Sequence, residues 1–360
     1  MKIKKLVPIL TAGILLTGLT AGCGSNFSSN ASASAPAGQD TTDAKQLQVV
    51  KVAMDDPSPA MAGIVLADKL GYFKEQGIKL EPVNFSSGSD SMTGLAANQV
   101  DVATGLISAY IFNAAQQGLN ISIVADQGRN QPGKGFFEFV LRKDLADKVK
   151  DYSQLKGLTL GIASKGNINQ LVLDKVLEKG GLTEKDINLK VVDDFHDFNT
   201  AMANKAMDGA VQIEPNISVG KKQNILVPFK DSQEYAPNEQ TGVIMYSPDF
   251  AKKKQLATHF MIAYLKAVRS FDNAFLFGSV DKAKVGKIMS EYMKTPVEQL
   301  NQINMPLLDP NGYIDPKAIQ SDEDWYMKQG TVKQSVPVEK VLNPQFVQAA
   351  LQKIGEYKKP

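Results

Sequence analysis

The clearest structural signal in the sequence lies in residues 49–80, which read VVKVAMDDPSPAMAGIVLADKLGYFKEQGIKL. Residues 49–54 form a strand-like run that ends at an acidic, proline-rich turn, and such a turn can also begin a helix. Residues 60–70 carry apolar side chains near helical spacing, and Ile78 and Leu80 then mark a second strand. The stretch therefore predicts a strand, a helix and a second strand, which is the repeating unit of an α/β protein.

The same alternation continues along the chain and then gives way to helices. Further strands are predicted at 100–103, 121–125, 158–163, 189–192, 210–213 and 242–246, with helices at 92–98, 168–179 and 198–207. From Pro248 onward the pattern is helical and amphipathic. Two series of alternating strands and helices favour two α/β lobes, each with a mainly parallel sheet. Because ligands in open α/β sheets lie beyond the carboxyl ends of the strands, a cleft between two lobes would collect the polar loops found at those ends.

The N-terminal residues have the composition of an export signal. Lysines within the first five residues precede an apolar stretch at 6–19, which is shorter than the ~20 residues needed to span a bilayer. Residues 19–23, LTAGC, resemble a bacterial lipobox, in which the cysteine is diacylated and becomes the new N-terminus. We therefore expect a signal peptide at 1–22 and a lipid on Cys23. The alternative is an ordinary secretory signal with an incidental cysteine.

Composition limits what the rest of the chain can be. Residues 23–46 are small and polar, cannot bury enough apolar surface to fold, and predict a flexible tether. The formal net charge of +2 gives no polyanion-binding signature, so nucleic acid is not an expected partner. Cys23 is the single cysteine, which excludes disulfides within the chain and sites built from cysteine clusters. The folded part exceeds the ~100–200 residues of one usual domain, which favours two domains.

Several stretches, in the same order, resemble substrate-binding proteins of ABC importers for nitrate, taurine, aliphatic sulfonates and thiamine-type pyrimidines. The stretches are LADKLGYFKEQGI at 66–78, GLAANQVDVA at 94–103, LKGLTLG at 155–161, MDGAVQIEP at 207–215, WYMKQG at 325–330 and NPQF at 343–346. The resemblance implies an α/β chain with the type II periplasmic-binding-protein fold, two lobes that hinge around a ligand cleft. It also implies a discontinuous lobe 1 at 47–145 and 242–360, with lobe 2 at 146–241.

Polar loops at the predicted strand ends supply candidate ligand contacts. An anionic group is favoured at a helix N-terminus, where free N–H groups and the helix dipole point toward it. Two such loops precede the helices at 92–98 and 168–179, and a third follows the strand at 100–103, where the family places ligand contacts. The candidates in these loops are Ser87, Gly88, Ser89, Gly105, Ser108, Ser164, Lys165 and Asn167. The alternative is helix capping for the first two loops and simple turn formation for the third.

Five further residues are candidates because of their chemistry. Asp56 and Ser58 follow the first strand, where an acid would suit a ligand that carries an amine, or would simply be a solvated turn residue. Arg129 has a planar guanidinium that can pair with an anion. His196 follows a strand of the second lobe and can act as a hydrogen-bond partner. Glu214 matches the family's cleft glutamate, so it either binds a donor on the ligand or fixes its own loop.

These features favour a binding protein over an enzyme. Ser-His-Asp, HExxH and phosphate-loop patterns do not occur in the sequence, so no catalytic residue, cofactor or metal is expected. We expect a monomer, lipid-anchored to the outer face of the cell membrane, that binds a small-molecule ligand by lobe closure and delivers it to the transmembrane permease subunits of an ABC importer. The leading ligand class is a small anion or zwitterion such as taurine, an alkanesulfonate or nitrate. A thiamine-type pyrimidine or other heteroaromatic ligand, a pyrimidine-synthesising enzyme of the same fold, and a sensor remain alternatives.

Overall fold

The computed structural model describes residues 46–54, 57–85, 87–130, 132–133, 135–278 and 282–358. The predicted signal peptide, the lipid site at Cys23, the tether up to residue 45, and Asp56 lie outside these residues. Among the helices that are described, none is both long enough and apolar enough to cross a membrane.

Two five-stranded sheets form the centre of the described chain. In chain order the strands are β1 Gln48–Met54, β2 Ile78–Asn84, β3 Val102–Leu106, β4 Ser122–Arg129, β5 Phe137–Arg142, β6 Thr159–Ile162, β7 Asn188–Val191, β8 Gly209–Ile213, β9 Leu226–Pro228 and β10 Gln240–Tyr246. The first sheet has the order β2-β1-β3-β10-β4, and the second has the order β7-β6-β8-β5-β9. In each sheet three parallel strands stand beside an antiparallel strand, β10 or β5. Both sheets are therefore mixed rather than mainly parallel, and they share one topology.

Helices cover both sheets. They are α1 Ala62–Lys69, α2 Tyr72–Glu75, α3 Gly88–Ala96, α4 Ala109–Gln116, α5 Ile168–Lys179, α6 Phe195–Ala203, α7 Asn216–Lys222, α8 Ser232–Tyr235, α9 Pro248–Lys252, α10 Lys254–Phe275, α11 Lys282–Met293, α12 Val297–Leu300, α13 Pro316–Lys328 and α14 Gln345–Ile354. Short 3-10 turns lie at Pro59–Met61, Lys143–Leu145, Tyr152–Leu155, Glu184–Asp186 and Val338–Lys340. We call the first sheet with the helices packed on it lobe 1, and the second sheet with its helices lobe 2.

Side chains along β1 point alternately to the two faces of the first sheet, and each face has its own hydrophobic core. Val50 and Val52 join the core shared with α1, α10, α11 and α14, whereas Ala53 points to the opposite face, covered by α3, α4 and α13. Successive strand residues face opposite sides, so a strand covered on both faces must be apolar in both registers. Every residue of β10, at 240–246, is buried, and its residues 243–246 are apolar toward both cores.

The second sheet follows the same rule. Phe137, Phe139 and Leu141 of β5 pack on the face covered by α5, and Val140 packs on the face covered by α6 and α7. Strand β5 pairs with β8 and β9, so it belongs to lobe 2 although the predicted boundary fell after residue 145. The predicted boundary was placed too late because β5 is an antiparallel strand. Such a strand does not fit the strand–helix alternation from which the boundary was predicted. The remaining domain boundaries stay a prediction.

Two helices begin earlier than predicted, and side-chain caps are the reason. Helix α3 begins at Gly88, because the Ser87 hydroxyl accepts a hydrogen bond from the amide of Asp90. Helix α6 begins at Phe195, because the Asp194 carboxylate accepts from the amide of His196. Apolar periodicity marks only the buried part of a helix and misses a polar first turn that a cap stabilises.

Candidate functional site

The carboxyl ends of the parallel strands hold most of the predicted binding residues. Ser58 and Ser108 follow β1 and β3 of lobe 1, and Ser164 and Glu214 follow β6 and β8 of lobe 2. An antiparallel bridge pairs Ser108 with Asn167, so the loops after β3 and β6 meet across the two lobes. This edge is where α/β folds bind their ligands.

Two backbone hydrogen bonds make this contact between the lobes. The amide of Ala109 donates to the carbonyl of Gly166 at 2.8 Å, and the amide of Ile168 donates to the carbonyl of Ile107 at 2.9 Å. Two of the three predicted binding loops therefore engage each other. Their paired backbone groups are not free donors for a ligand in this conformation.

Asn167 is the N-cap of α5. Its side-chain oxygen accepts from the amides of Asn169 at 2.9 Å and Gln170 at 3.3 Å, and its Nδ2 donates to Ser164 Oγ at 2.7 Å. The capping alternative for this loop is therefore realised, and the first free amides of α5 are occupied. Lys165 stands beside the cap with an exposed side chain.

The loop before α3 keeps free donors. Ser87 caps the helix through a 3.2 Å bond from the amide of Asp90. None of the described residues accepts from the amides of Gly88 and Ser89, and both residues are exposed. The first turn of α3 therefore retains the kind of donor that anions favour.

Ser58, Gly105 and His196 lie at three different strand ends. Ser58 is half-buried and makes no side-chain capping bond. Gly105 has a φ of +154°, which L side chains rarely adopt, and its amide donates to Gln127 Oε1 at 3.0 Å. A glycine is thus needed for the backbone path at the end of β3. His196 is exposed in the first turn of α6, after β7.

Arg129 is held by neighbours within lobe 1. Its Nη2 lies 3.6 Å from Asp126 Oδ1 and 3.5 Å from Asp309 Oδ2, and it donates to the carbonyl of Tyr313 at 3.1 Å. Burial raises the pKa of Asp126 to about 6, although the charge of Arg129 acts in the opposite direction. In this structure Arg129 is an internal ion-pair partner, and its charge is already matched by two acids.

Glu214 is buried and fixes the loop that carries it. Its Oε2 accepts from the amide of Ser218 at 2.9 Å, and its Oε1 accepts from the Ser218 hydroxyl at 2.9 Å and from the amide of Asn304 at 3.3 Å. The peptide bond to Pro215 is cis. Burial raises the pKa of Glu214, and these hydrogen bonds oppose that shift. Two roles were predicted for Glu214, which are to bind a donor on the ligand or to fix its own loop. These contacts are those of a residue that fixes its loop.

Glu138 is a buried acid near this loop that the sequence analysis did not select. It lies on β5, 4% exposed, and burial followed by the charge of Glu214 raises its pKa to about 8. The signal was available in the sequence FFEFVL at 136–141, where one acid interrupts an apolar strand. In the part of the chain that is described, no group of three or more His, Cys, Asp or Glu side chains is arranged to hold a metal ion.

Comparisons with known proteins identify related chains. The family model described as NMT1/THI5 like matches residues 58–272, which is more than half of the 360 residues. YtlA, a proposed binding protein of Bacillus subtilis (strain 168), is 25% identical over 320 residues that cover 84% of this chain and 90% of YtlA.

Solved structures share the fold at lower identity. The periplasmic nitrate-binding protein NrtA of Synechocystis PCC 6803 superposes with a TM-score of 0.70 at 15% identity, over 86% of this chain and 90% of NrtA. The periplasmic aliphatic sulphonate binding protein SsuA of Escherichia coli gives 0.64 at 16% identity, over 82% and 92%. The desulfurization enzyme DSZB gives 0.61 at 13% identity, over 85% and 99%. These likenesses confirm the predicted periplasmic-binding-protein fold, and because the family model spans more than half of the sequence, the chain belongs to the NMT1/THI5-like family.

Proposed function

We propose that this chain is the extracytoplasmic substrate-binding component of an ABC import system of the nitrate and sulfonate type. The observation that carries the proposal is the pair of α/β lobes of one topology whose strand-end loops face each other. A ligand that contacts both lobes favours their closed arrangement, which is how such a fold captures a small solute. Similarity to YtlA over 90% of that protein supports a binding role.

The proposed ligand is a small anion or zwitterion of the taurine, alkanesulfonate or nitrate class. The amides of Gly88 and Ser89, from which none of the described residues accepts, support an anionic group at the first turn of α3. Because Arg129 is already paired with two acids, the anion would be held mainly by neutral donors. A thiamine-type pyrimidine is the second candidate, and the buried acid Glu138 favours it because a protonated carboxyl group can pair with a heteroaromatic ring.

The proposed place of action is the outer face of the cell membrane. A lipid on Cys23 and a tether at 23–46 would hold the lobes near the permease subunits and so raise their effective concentration there. We propose binding rather than catalysis, although a desulfurization enzyme shares the fold. The single cysteine and two histidines leave few residues for covalent or acid–base chemistry.

A thermal-shift series with taurine, alkanesulfonates, nitrate and aminopyrimidines tests the ligand class. A ligand that binds only the folded protein stabilises it by about 2.7 kcal/mol at a hundredfold excess over Kd. We expect a rise in Tm with a sulfonate or nitrate. A rise with an aminopyrimidine alone would replace the anion with the second candidate, and no rise with any of these compounds would contradict the proposed function.

A pair of substitutions at Gly88 tests the α3 site. Gly88→Pro removes the amide at the first helical position, where proline is tolerated and the preceding Ser87 already has extended backbone. Gly88→Ala keeps the amide, and its Cβ would meet nothing within 4 Å. We expect Gly88→Pro to weaken anion binding about tenfold, since a hydrogen bond to a charged group contributes about 1.5–3 kcal/mol. Equal affinities for the two variants would remove α3 from the site.

A further inference from the structure

Helix α13 contacts both lobes. On lobe 1, the Tyr326 hydroxyl donates to the carbonyl of Ile107 at 2.9 Å. On lobe 2, Gln329 Nε2, directly after the helix, donates to Asp174 Oδ2 of α5 at 2.7 Å. We call residues 316–329 the strap, because they hold one lobe to the other outside the strand-end loops.

A buried pair of acids lies where the strap meets lobe 2. Asp322 of α13 is 1% exposed, and neither of its carboxylate oxygens has a hydrogen-bond partner with ordinary donor geometry among the described residues. Its carboxyl group lies within hydrogen-bonding reach of that of Glu239, which is 5% exposed and precedes β10. Glu239 in turn forms an ion pair with Lys175 of α5.

The charges in this cluster call for one proton. Two carboxyl groups that touch cannot both ionise in a buried site, and a single ammonium group balances only one of them. Burial and the charge of Glu239 raise the pKa of Asp322 well above its ordinary value, and Lys175 opposes them. Tyr326 also faces the pair, and its pKa is raised well above its ordinary value by burial and by both acids, so it supplies no charge.

We propose that a proton shared by Asp322 and Glu239 holds the strap against α5, so that the strap is docked across the lobes in acid and loosens as the pH rises. The protonated Asp322 carboxyl donates to Glu239, and Lys175 balances the remaining negative charge. When the proton leaves to solvent, two carboxylates face one ammonium group, and their repulsion favours separation of α13 from α5.

Asp174 lies at the end of the strap but does not repel it. Burial raises its pKa to about 7, with Glu184 and Glu178 adding to the shift and Trp325 and Lys328 opposing it. Gln329, Trp325 and Lys328 of the strap all favour the charged form of Asp174, so its ionisation does not loosen the strap. The loosening is therefore assigned to Asp322 and Glu239.

Trp325 reports on the strap directly. It is the single tryptophan of the chain, lies on α13, and is partly buried against core residues of both lobes. We expect acrylamide to quench its fluorescence with a constant that rises about twofold between acidic and alkaline pH, as the docked state loses protons. Asp322→Asn keeps a donor toward Glu239 but cannot ionise, and Asp324→Asn makes the same change at an exposed position of the same helix.

The two variants decide the proposal. Asp322→Asn should remove more than half of the rise in quenching, whereas Asp324→Asn should keep the wild-type rise. A wild-type protein without the rise, or an Asp322→Asn variant that keeps most of it, would overturn the proposal. If Asp322→Asn does not fold, Glu239→Gln supplies the same test, because it also replaces one acid of the pair with an amide donor. The proposed transport role is not tested by this experiment, because no ligand is added.

Discussion

At Glu214 a buried carboxylate accepts three hydrogen bonds, two of them from Ser218 and one from the amide of Asn304. The first two close the turn that leads into α7, and the third ties this turn to a segment beyond α12. A side chain at the edge of the proposed cleft can therefore be required for the shape of that cleft without touching a ligand.

Substitution of Glu214 should separate these two roles. We expect Glu214→Ala to lower the free energy of unfolding by about 2–4 kcal/mol, because three donors lose a buried acceptor. Urea denaturation measures the change. Glu291→Ala, at an exposed position, serves as the control and should stay within about 0.5 kcal/mol of wild type. An unchanged stability together with lost ligand binding would instead assign Glu214 to the ligand.

Among the elements, α5 shows most clearly how a cap can exclude a ligand. The sequence predicts this helix with the bounds observed, Ile168–Lys179, because its apolar periodicity begins directly after Asn167. The same residue that marks the start of the helix also occupies its first amides. Where a side chain caps the first amides of a helix, those amides are no longer free to bind an anion.

Removal of this cap should cost stability in a graded way. We expect Asn167→Ala to lower the free energy of unfolding by about 1 kcal/mol, and Asn167→Asp to stay near wild type because its carboxylate caps equally well. Thermal or urea unfolding measures both. Asn301→Ala, at an exposed position that caps the end of α12 through its backbone amide, is the matched control, because the substitution keeps that amide. A loss as large for Asn167→Asp as for Asn167→Ala would show that the cap is not what Asn167 contributes.

The elements also show why some features could not be predicted. Strands that a helix follows in sequence, such as β1 and β6, can be predicted from local periodicity. Strand β5 does not, because its partners β8 and β9 lie about seventy to ninety residues further along the chain. The ion pair between Arg129 and Asp309 could not be predicted for the same reason, since Asp309 lies in a segment far along the chain. Sequence reasoning finds which residues lie at strand ends, but not which of them a remote segment has already paired.

For the whole molecule, buried acids dominate the linkage between protons and folding. Burial is the largest cause of the raised pKa at each site, which is about 6 for Asp126, about 7 for Asp174, about 8 for Glu138 and about 9 for Asp272. In the unfolded chain these groups ionise near their ordinary values of 3.8 and 4.5. Between these ordinary pKa values and the raised values of the folded protein, the folded state therefore holds more protons than the unfolded state.

Stability should fall as the pH rises through that interval. The sign follows from linkage, because stability decreases with pH wherever the folded state binds more protons. We expect the free energy of unfolding to drop by at least about 2 kcal/mol from about pH 5 to about pH 9, measured by urea denaturation. Asp272→Asn should reduce this drop, and Asp147→Asn, on a fully exposed side chain, should leave it unchanged. A stability that rises with pH would contradict the assignment of raised pKa values.

The position of β10 has a consequence for the order in which the protein can assemble. All strands of the second sheet are complete by Pro228, whereas the first sheet lacks the strand between β3 and β4 until Gln240–Tyr246 has been made. Until then β3 and β4 have no common neighbour, even though they are synthesised before any strand of the second sheet. A chain made from its N-terminus therefore completes its second sheet first, and β3 and β4 lack their shared neighbour until a segment more than a hundred residues further along the chain has been made.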